Sequence, residues 1–148
     1  KTDIPLLLKI SPDIEDHHIS AIVDVATKND ISAIILTNTT DGHRGKLVSD
    51  TKKEEGGLSG EPLQQISTNM IKKFYKQLNG KIPIIGVGGI NSGKSAYEKI
   101  IAGASLLQLY TSFVYRGPSV AKNIKKELIQ ILKAEGLNNI KEAIGKGA

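Results

Sequence analysis

Short apolar runs alternate with amphipathic segments along the chain, and this alternation predicts four strand–helix units. The four runs are Ile4–Ile10, Ile31–Leu36, the run that begins at Ile82, and Ser105–Leu109, and the Ile82 run has the β-branched, uncharged character of a strand buried on both faces. After each run, apolar residues recur three or four positions apart, as on one face of a helix. The order βαβαβαβα therefore predicts parallel strands joined by right-handed crossovers.

The helix boundaries follow from capping residues and glycines. We expect a first helix from Pro12 and Asp13 to about Lys28, and a second from Pro62 to Leu78. A third, short helix is closed by Gly103, and a last long one contains the apolar positions from Val120 to Leu132. Residues 41–61 are predicted to form a long loop, functional or disordered, and residues 137–148 at most a short helical turn.

Polar residues gather where each predicted strand ends. These strand ends are Lys9, Thr37-Asn38-Thr39, Gly88-Gly89 and Tyr110-Thr111. The carboxyl ends of parallel strands share one edge of a sheet, and ligands bind there both in (β/α)₈ barrels and in flavodoxin-like open sheets. Four units are half of such a barrel. The predicted fold class is thus α/β, with a half-barrel and a flavodoxin-like sheet as the two architectures.

The stretch Ile82–Ser95 predicts a phosphate site. It passes from an apolar strand through Gly86, Gly88 and Gly89 into a helix capped by Asn91 or Ser92. Unpaired N–H groups and the helix dipole attract anions at such a turn, and glycines let a phosphate approach the backbone.

Two nucleotide-binding motifs are alternatives for this stretch. Gly88-x-x-x-x-Gly93-Lys94-Ser95 matches the P-loop pattern in a suitable strand–turn–helix context, so a P-loop-type nucleotide-binding module using Gly88–Ser95 stays open. No other strand ends in the carboxylate that would hold magnesium, which weighs against it. The glycines also fit a dinucleotide fingerprint poorly, since a third glycine in register is lacking.

Composition narrows the class of protein. The 148 residues are 39% hydrophobic and 24% charged, which is typical of one soluble domain, and no apolar run is long enough to span a bilayer. Cysteine is absent and the net charge is +5, with basic residues concentrated after Arg116. Aromatic residues for base stacking are scarce, so we interpret the basic tail as a solvated helix face and expect no nucleic acid partner. The three histidines have no metal-ligand spacing, and we expect no metal.

Three strand-end residues suit a small polar ligand. Lys9 is either a strand-end lysine that reaches solvent or a cation held against a ligand that becomes negative, such as a reduced flavin ring. Asn38 and Thr39 are either turn caps or fixed donors and acceptors for an amide- or imide-bearing molecule.

Five motifs in order resemble the C-terminal half of a class 2, quinone-dependent dihydroorotate dehydrogenase. They are Lys9-Ile10-Ser11-Pro12-Asp13, Thr37-Asn38-Thr39-Thr40, Gly56-Gly57-Leu58-Ser59-Gly60-x-Pro62-Leu63, Gly86-Val87-Gly88-Gly89-Ile90 and Ala102–Thr111. The resemblance covers nearly the whole chain, and residues 1–148 would form the C-terminal half of a flavin-binding (β/α)₈ barrel.

The resemblance implies a flavoenzyme of pyrimidine biosynthesis that oxidises dihydroorotate to orotate and passes electrons through FMN to a quinone. Lys9 and Thr37 would contact the flavin ring, and Asn38 and Thr39 the orotate. Gly60, Gly89, Tyr110 and Thr111 would hold the ribityl phosphate region of FMN. A bacterial parent would associate peripherally with the cytoplasmic side of the inner membrane.

Parts of the family pattern are absent from these residues. The first four βα units, the catalytic serine base and the N-terminal helices that meet membrane and quinone do not occur here, and the chain lacks an initiator Met. We therefore expect an excised piece of a longer chain, soluble on its own, with no catalytic residue and no activity alone. Half a barrel leaves strand edges uncovered, so we also expect self-association or a partner half-barrel.

Overall fold

The structure, a computed structural model, describes residues 4–148 and contains one sheet of four parallel strands. The strands are β1 (Leu7–Ile10), β2 (Ala33–Leu36), β3 (Ile84–Val87) and β4 (Ala104–Gln108), and they lie side by side in chain order. Each pair is parallel, so the predicted α/β class is confirmed. A flavodoxin-like sheet does not place its strands in simple chain order, and that architecture is excluded.

Five α-helices accompany the strands. They are α1 (Ile19–Lys28), α2 (Gln64–Leu78), α3 (Gly93–Ile101), α4 (Thr111–Arg116) and α5 (Ser119–Ala134). Short 3₁₀ turns precede α1 and α2, two more lie within the 41–61 loop, and another spans Ile140–Ala143 near the C-terminus. The predicted short turn in the tail is therefore confirmed.

Two details of the helix prediction are wrong. The first helical residues begin at Asp16, as a 3₁₀ turn before α1, rather than at Pro12 and Asp13. The Asp13 carboxylate instead accepts hydrogen bonds from the Thr40 hydroxyl and from the Asp41 backbone N–H, so it ties two loops together. Helix α4 was not predicted at all, because its Thr-Ser-Phe-Val-Tyr sequence consists of weak helix formers.

The outer face of the sheet packs against α1 and α2 and forms the main core. Ile34, Leu36 and Ile84 of the strands lie with Ile71 and Phe74 of α2 in this core, and all five are buried. Alternate strand residues point to the opposite, inner face, where Ala33, Ile35 and Ile85 form a smaller cluster. Both faces of the two central strands are thus apolar, as the uncharged Ile82 run predicted for β3.

The sheet has two open edges within residues 4–148. There β1 pairs only with β2, and β4 pairs only with β3. Leu7 on β1 is 42% exposed and Leu106 on β4 is 63% exposed. Strand β1 is shorter than the predicted strand Ile4–Ile10, because pairing with β2 begins at Leu7, opposite Ala33. None of the described helices is both long and apolar enough to cross a bilayer.

Candidate flavin phosphate and substrate site

A pocket of about 540 Å³ opens at the carboxyl ends of the strands. All eight residues predicted for the site line it: Lys9, Thr37, Asn38, Thr39, Gly60, Gly89, Tyr110 and Thr111. They come from all four strand ends and from the 41–61 loop. The structure therefore brings together every residue that the sequence analysis selected, while their individual roles stay predictions.

The segment after β2 is held rigidly at the base of the pocket. The Asn38 N–H donates to the Ile10 carbonyl at 2.9 Å, and the Thr37 N–H donates to the Val87 carbonyl at 3.2 Å. The Thr37 side chain is only 2% exposed, and its Oγ1 has no hydrogen-bond partner among residues 4–148. A buried hydroxyl without a partner is costly, so Thr37 Oγ1 is a candidate ligand contact.

The 41–61 loop folds back and delivers Gly60 to the pocket. Thr40 and Leu58 exchange two backbone hydrogen bonds, of 3.1 and 2.7 Å, which return the loop to the end of β2. Within the loop, the Arg44 guanidinium donates to backbone carbonyls, including that of Glu54 at 2.8 Å. The Thr111 hydroxyl then donates to Ser59 Oγ at 3.0 Å, which joins the loop to the start of α4.

The Gly88–Gly89 turn lies between the pocket and the first turn of α2. Both glycines have positive φ, of 112° and 71°. A Cβ added to Gly89 would lie 2.5 Å from Gln64 Cβ and 2.6 Å from Gln64 Cα. Glycine is therefore required here by backbone conformation and by packing, independently of any ligand. A Gly89→Val change would disturb this packing first, and it cannot by itself locate a phosphate.

The N-terminus of α3 is already capped by protein groups. Of the two predicted caps, Ser92 is the N-cap, and it forms a capping box with Ser95. The Glu127 carboxylate of α5 accepts the N–H of Gly93. Lys94 is exposed and does not line the pocket. The structure gives the P-loop alternative no support, because the groups that would cradle a triphosphate are engaged with one another.

Two charged residues in the pocket were missed as candidates. Arg116 lines it and donates to the Asn91 carbonyl at 2.7 Å, although the sequence analysis counted it only as the start of a basic tail. Glu61, which follows Gly60 in the sequence, also lines the pocket. With Lys9, the described lining thus carries two cations and one anion, a balance that suits an anionic ligand.

Within residues 4–148, histidine and carboxylate side chains are the groups that could ligate a metal. All three histidines are exposed, and the described residues contain no cluster of three or more His, Asp or Glu side chains able to hold a metal.

A buried lysine lies behind the glycine turn. Lys99 of α3 is fully buried, and its Nζ donates to the Gln64 carbonyl at 2.6 Å and to Thr68 Oγ1 at 2.7 Å. Burial lowers the pKa of Lys99 to about 8, and the neighbouring Glu98 carboxylate opposes this by raising it. Burial also raises the pKa of Tyr97 on the same helix, with a contribution from Glu135. No sequence pattern distinguished Lys99 from the exposed lysines around it.

Comparison with known proteins identifies the family. The sequence model of the dihydroorotate dehydrogenase family matches residues 1–132. The chain belongs to the dihydroorotate dehydrogenase family. Its relatives include the quinone-type dihydroorotate dehydrogenase of Trichodesmium erythraeum, 47% identical over 95% of the chain, and the mitochondrial quinone-type enzyme of Arabidopsis thaliana, 47% identical over the same share.

A solved dihydroorotate dehydrogenase has the same fold over this region. The Eimeria tenella enzyme in complex with ferulenol superposes with a TM-score of 0.92 at 45% identity over 96% of the chain. This likeness confirms the barrel-type fold. The chain covers 38% of that structure, and 39% and 31% of the Trichodesmium and Arabidopsis relatives, so it spans about a third to two fifths of these proteins.

The buried Lys99 predicts a rise in stability with pH. Because its pKa is about 8 in the folded chain and that of an unfolded lysine is near 10.5, the unfolded state binds more protons between these values. The free energy of unfolding should therefore increase between pH 8 and 10 by about 2 kcal/mol. Urea unfolding at a series of pH values measures this increase. Lys99→Met should abolish it and the exposed Lys94→Met should keep it; an unchanged slope in Lys99→Met would contradict the assignment.

Proposed function

We propose that this chain supplies the flavin-phosphate side and part of the substrate side of a quinone-dependent dihydroorotate dehydrogenase. The reaction is the oxidation of dihydroorotate to orotate in pyrimidine biosynthesis, with electrons passing through FMN to a quinone. One observation carries the proposal. Eight residues chosen from five separate motifs converge on a single pocket at the strand ends.

The residues in the pocket fit FMN. Thr37 offers a buried hydroxyl that has no partner among the described residues, and Gly60 and Gly89 present backbone at positive φ, where a ligand can approach closely. Lys9 supplies a cation for the ring, and Thr111, whose hydroxyl already donates to Ser59, supplies its backbone N–H for the phosphate. FMN, when bound, supplies the redox chemistry. The chain's part is to hold and orient it.

Asn38 and Thr39 are the proposed substrate contacts. Both are exposed at the pocket, on a segment whose backbone is fixed to β1 and β3. An amide and a hydroxyl provide donors and acceptors that match the imide and carboxylate of orotate. The rigid backbone would limit the entropy lost when these side chains are ordered by the substrate.

The names of the relatives support a proposal about the quinone, and the proposed membrane location depends on the resemblance to the quinone-dependent class. Several are named as quinone enzymes. We propose that a bacterial parent lies peripherally on the cytoplasmic side of the inner membrane, and that residues outside this chain provide the quinone contact.

Thr37→Val should separate flavin binding from stability. Valine has the same shape but lacks the hydroxyl, so it removes the proposed flavin contact. It also removes a buried polar atom that has no hydrogen-bond partner among the described residues, which should not lower stability. We expect FMN affinity to fall about tenfold and the urea midpoint to stay equal or rise. Fluorescence titration of FMN gives the affinity. Thr27→Val on α1, away from the pocket, is the control. Unchanged FMN affinity in Thr37→Val would place the flavin elsewhere.

The 148-residue chain alone should not turn over dihydroorotate. Oxidation needs a base positioned to remove a substrate proton, and we place that base, a serine in this family, outside this chain. An assay with FMN, dihydroorotate and a quinone acceptor should give no rate above that of free FMN. Measurable turnover that is lost in Glu61→Gln would contradict this and would identify Glu61 as the base.

The open edges of the sheet support a proposal about partners. Strands β1 and β4 each keep one edge without a described partner, and Leu7 and Leu106 are exposed there. Uncovered strand edges promote pairing with other chains. We propose that further βα units, from a second copy or from a complementary half-barrel, cover them.

Self-association can be measured directly. Light scattering should give a mass above that of one chain at micromolar concentration, and Leu106→Lys should reduce it by placing a charge on the β4 edge. Val48→Lys is the matched control, since Val48 is 99% exposed but lies in the 41–61 loop. A clean monomer in the unmodified chain would overturn the proposal.

A further inference from the structure

Two adjacent residues of α3, Glu98 and Lys99, both hydrogen-bond to Gln64 at the start of α2. The fully buried Lys99 donates through Nζ to the Gln64 carbonyl at 2.6 Å and to Thr68 Oγ1 at 2.7 Å. Its neighbour Glu98 accepts a hydrogen bond of 2.9 Å from Gln64 Nε2. The backbone and the side chain of Gln64 are thus both held from α3.

Gln64 is also the residue that backs the glycine turn. Its Cα and Cβ leave no room for a side chain at Gly89, and one helical turn later Ser67 lies against Gly88, 3.2 Å from where a Cβ would sit. Ser67 Oγ also donates to the carbonyl of Val87, the last residue of β3. The first turn of α2 therefore forms the wall behind Gly88–Gly89, and the other side of the turn lines the pocket.

A buried lysine between α3 and α2 carries an energetic cost that an apolar side chain would not. Burying an ammonium group carries a desolvation penalty, and an apolar side chain of similar volume is often neutral or stabilising in its place. What the lysine adds over an apolar side chain is directional: charge-assisted hydrogen bonds whose two acceptors both lie in the first turns of α2. This favours a role in placing that turn of the helix over a role in packing alone.

We infer that Lys99 is a positioning residue for the phosphate-binding turn. By fixing Gln64, it sets where the Gly88–Gly89 backbone lies at the pocket, although it touches no ligand itself. The inference rests on the proposed function, since it assumes that the phosphate of FMN binds at this turn. It adds a residue outside the pocket to the set that determines phosphate affinity.

Riboflavin, which lacks the phosphate, separates positioning from general stability. FMN and riboflavin are each titrated into the unmodified chain, Lys99→Met and Lys94→Met, with thermal melts to verify folding. We expect Lys99→Met to lose at least about tenfold in FMN affinity and less than about twofold in riboflavin affinity. Lys94→Met, the same change on the exposed face of the same helix, should preserve both affinities.

The possible outcomes are distinguishable. An FMN preference that survives in Lys99→Met, or an equal loss of both flavins, overturns the inference alone. An unmodified chain that binds neither flavin, or binds both equally, overturns the proposed phosphate site and the inference with it. If Lys99→Met does not fold, Thr68→Val removes one of the two acceptors and is tested by the same FMN-to-riboflavin ratio.

Discussion

The close contact between the first turn of α2 and the Gly88–Gly89 backbone is the constraint on which the pocket depends. There is no space for a side chain at Gly89, so the turn between β3 and α3 packs directly against the backbone of Gln64. Ser67 joins the same helical turn to the end of β3, and Lys99 joins it to α3. Three consecutive elements of the fold are therefore locked together at the point where the pocket begins, and the backbone facing a ligand is set before any ligand arrives.

The N-termini of α3 and α4 differ in how far protein groups already engage them. At α3, the capping box and the Glu127 carboxylate already engage the first N–H groups. At α4, Tyr110 is the N-cap, no described side chain caps the helix, and its first residues line the pocket. The first N–H groups of a helix attract anions where no protein group already accepts their hydrogen bonds. The Gly93-Lys94-Ser95 sequence matches a phosphate-binding loop, but Glu127 of α5 already accepts the Gly93 N–H that a phosphate would need.

Local pattern was sufficient for four parallel strands and for the pocket residues at their carboxyl ends, whereas Gly60 was selected only through the family resemblance and the strand order was left open between two architectures. Buried parallel strands have a strong apolar signal, and polar residues at their carboxyl ends must meet at one edge of the sheet. The signals that failed depend on tertiary contacts. Asp13 resembles a helix start but binds Thr40, a residue 27 positions away, and α4 forms from poor helix formers. Lys99 was overlooked because its burial comes from α2, which lies far away in sequence.

The distribution of satisfied and unsatisfied polar and apolar groups distinguishes the glycine turn from the rest of the pocket and sheet. Around the glycine turn nearly every contact is internal: Gln64, Ser67 and Lys99 pair with neighbouring elements of the same chain. On the two edge strands, in contrast, apolar side chains such as Leu106 are exposed, and at the pocket Thr37 holds a buried hydroxyl without a described partner. The glycine-turn side of the pocket is thus preorganised by this chain, whereas the Thr37 hydroxyl and the sheet edges keep groups that a ligand or further βα units would pair. Under the proposed function, flavin phosphate binding depends on the first side and proton removal on a base outside this chain, so the chain would retain a cofactor preference while lacking catalysis.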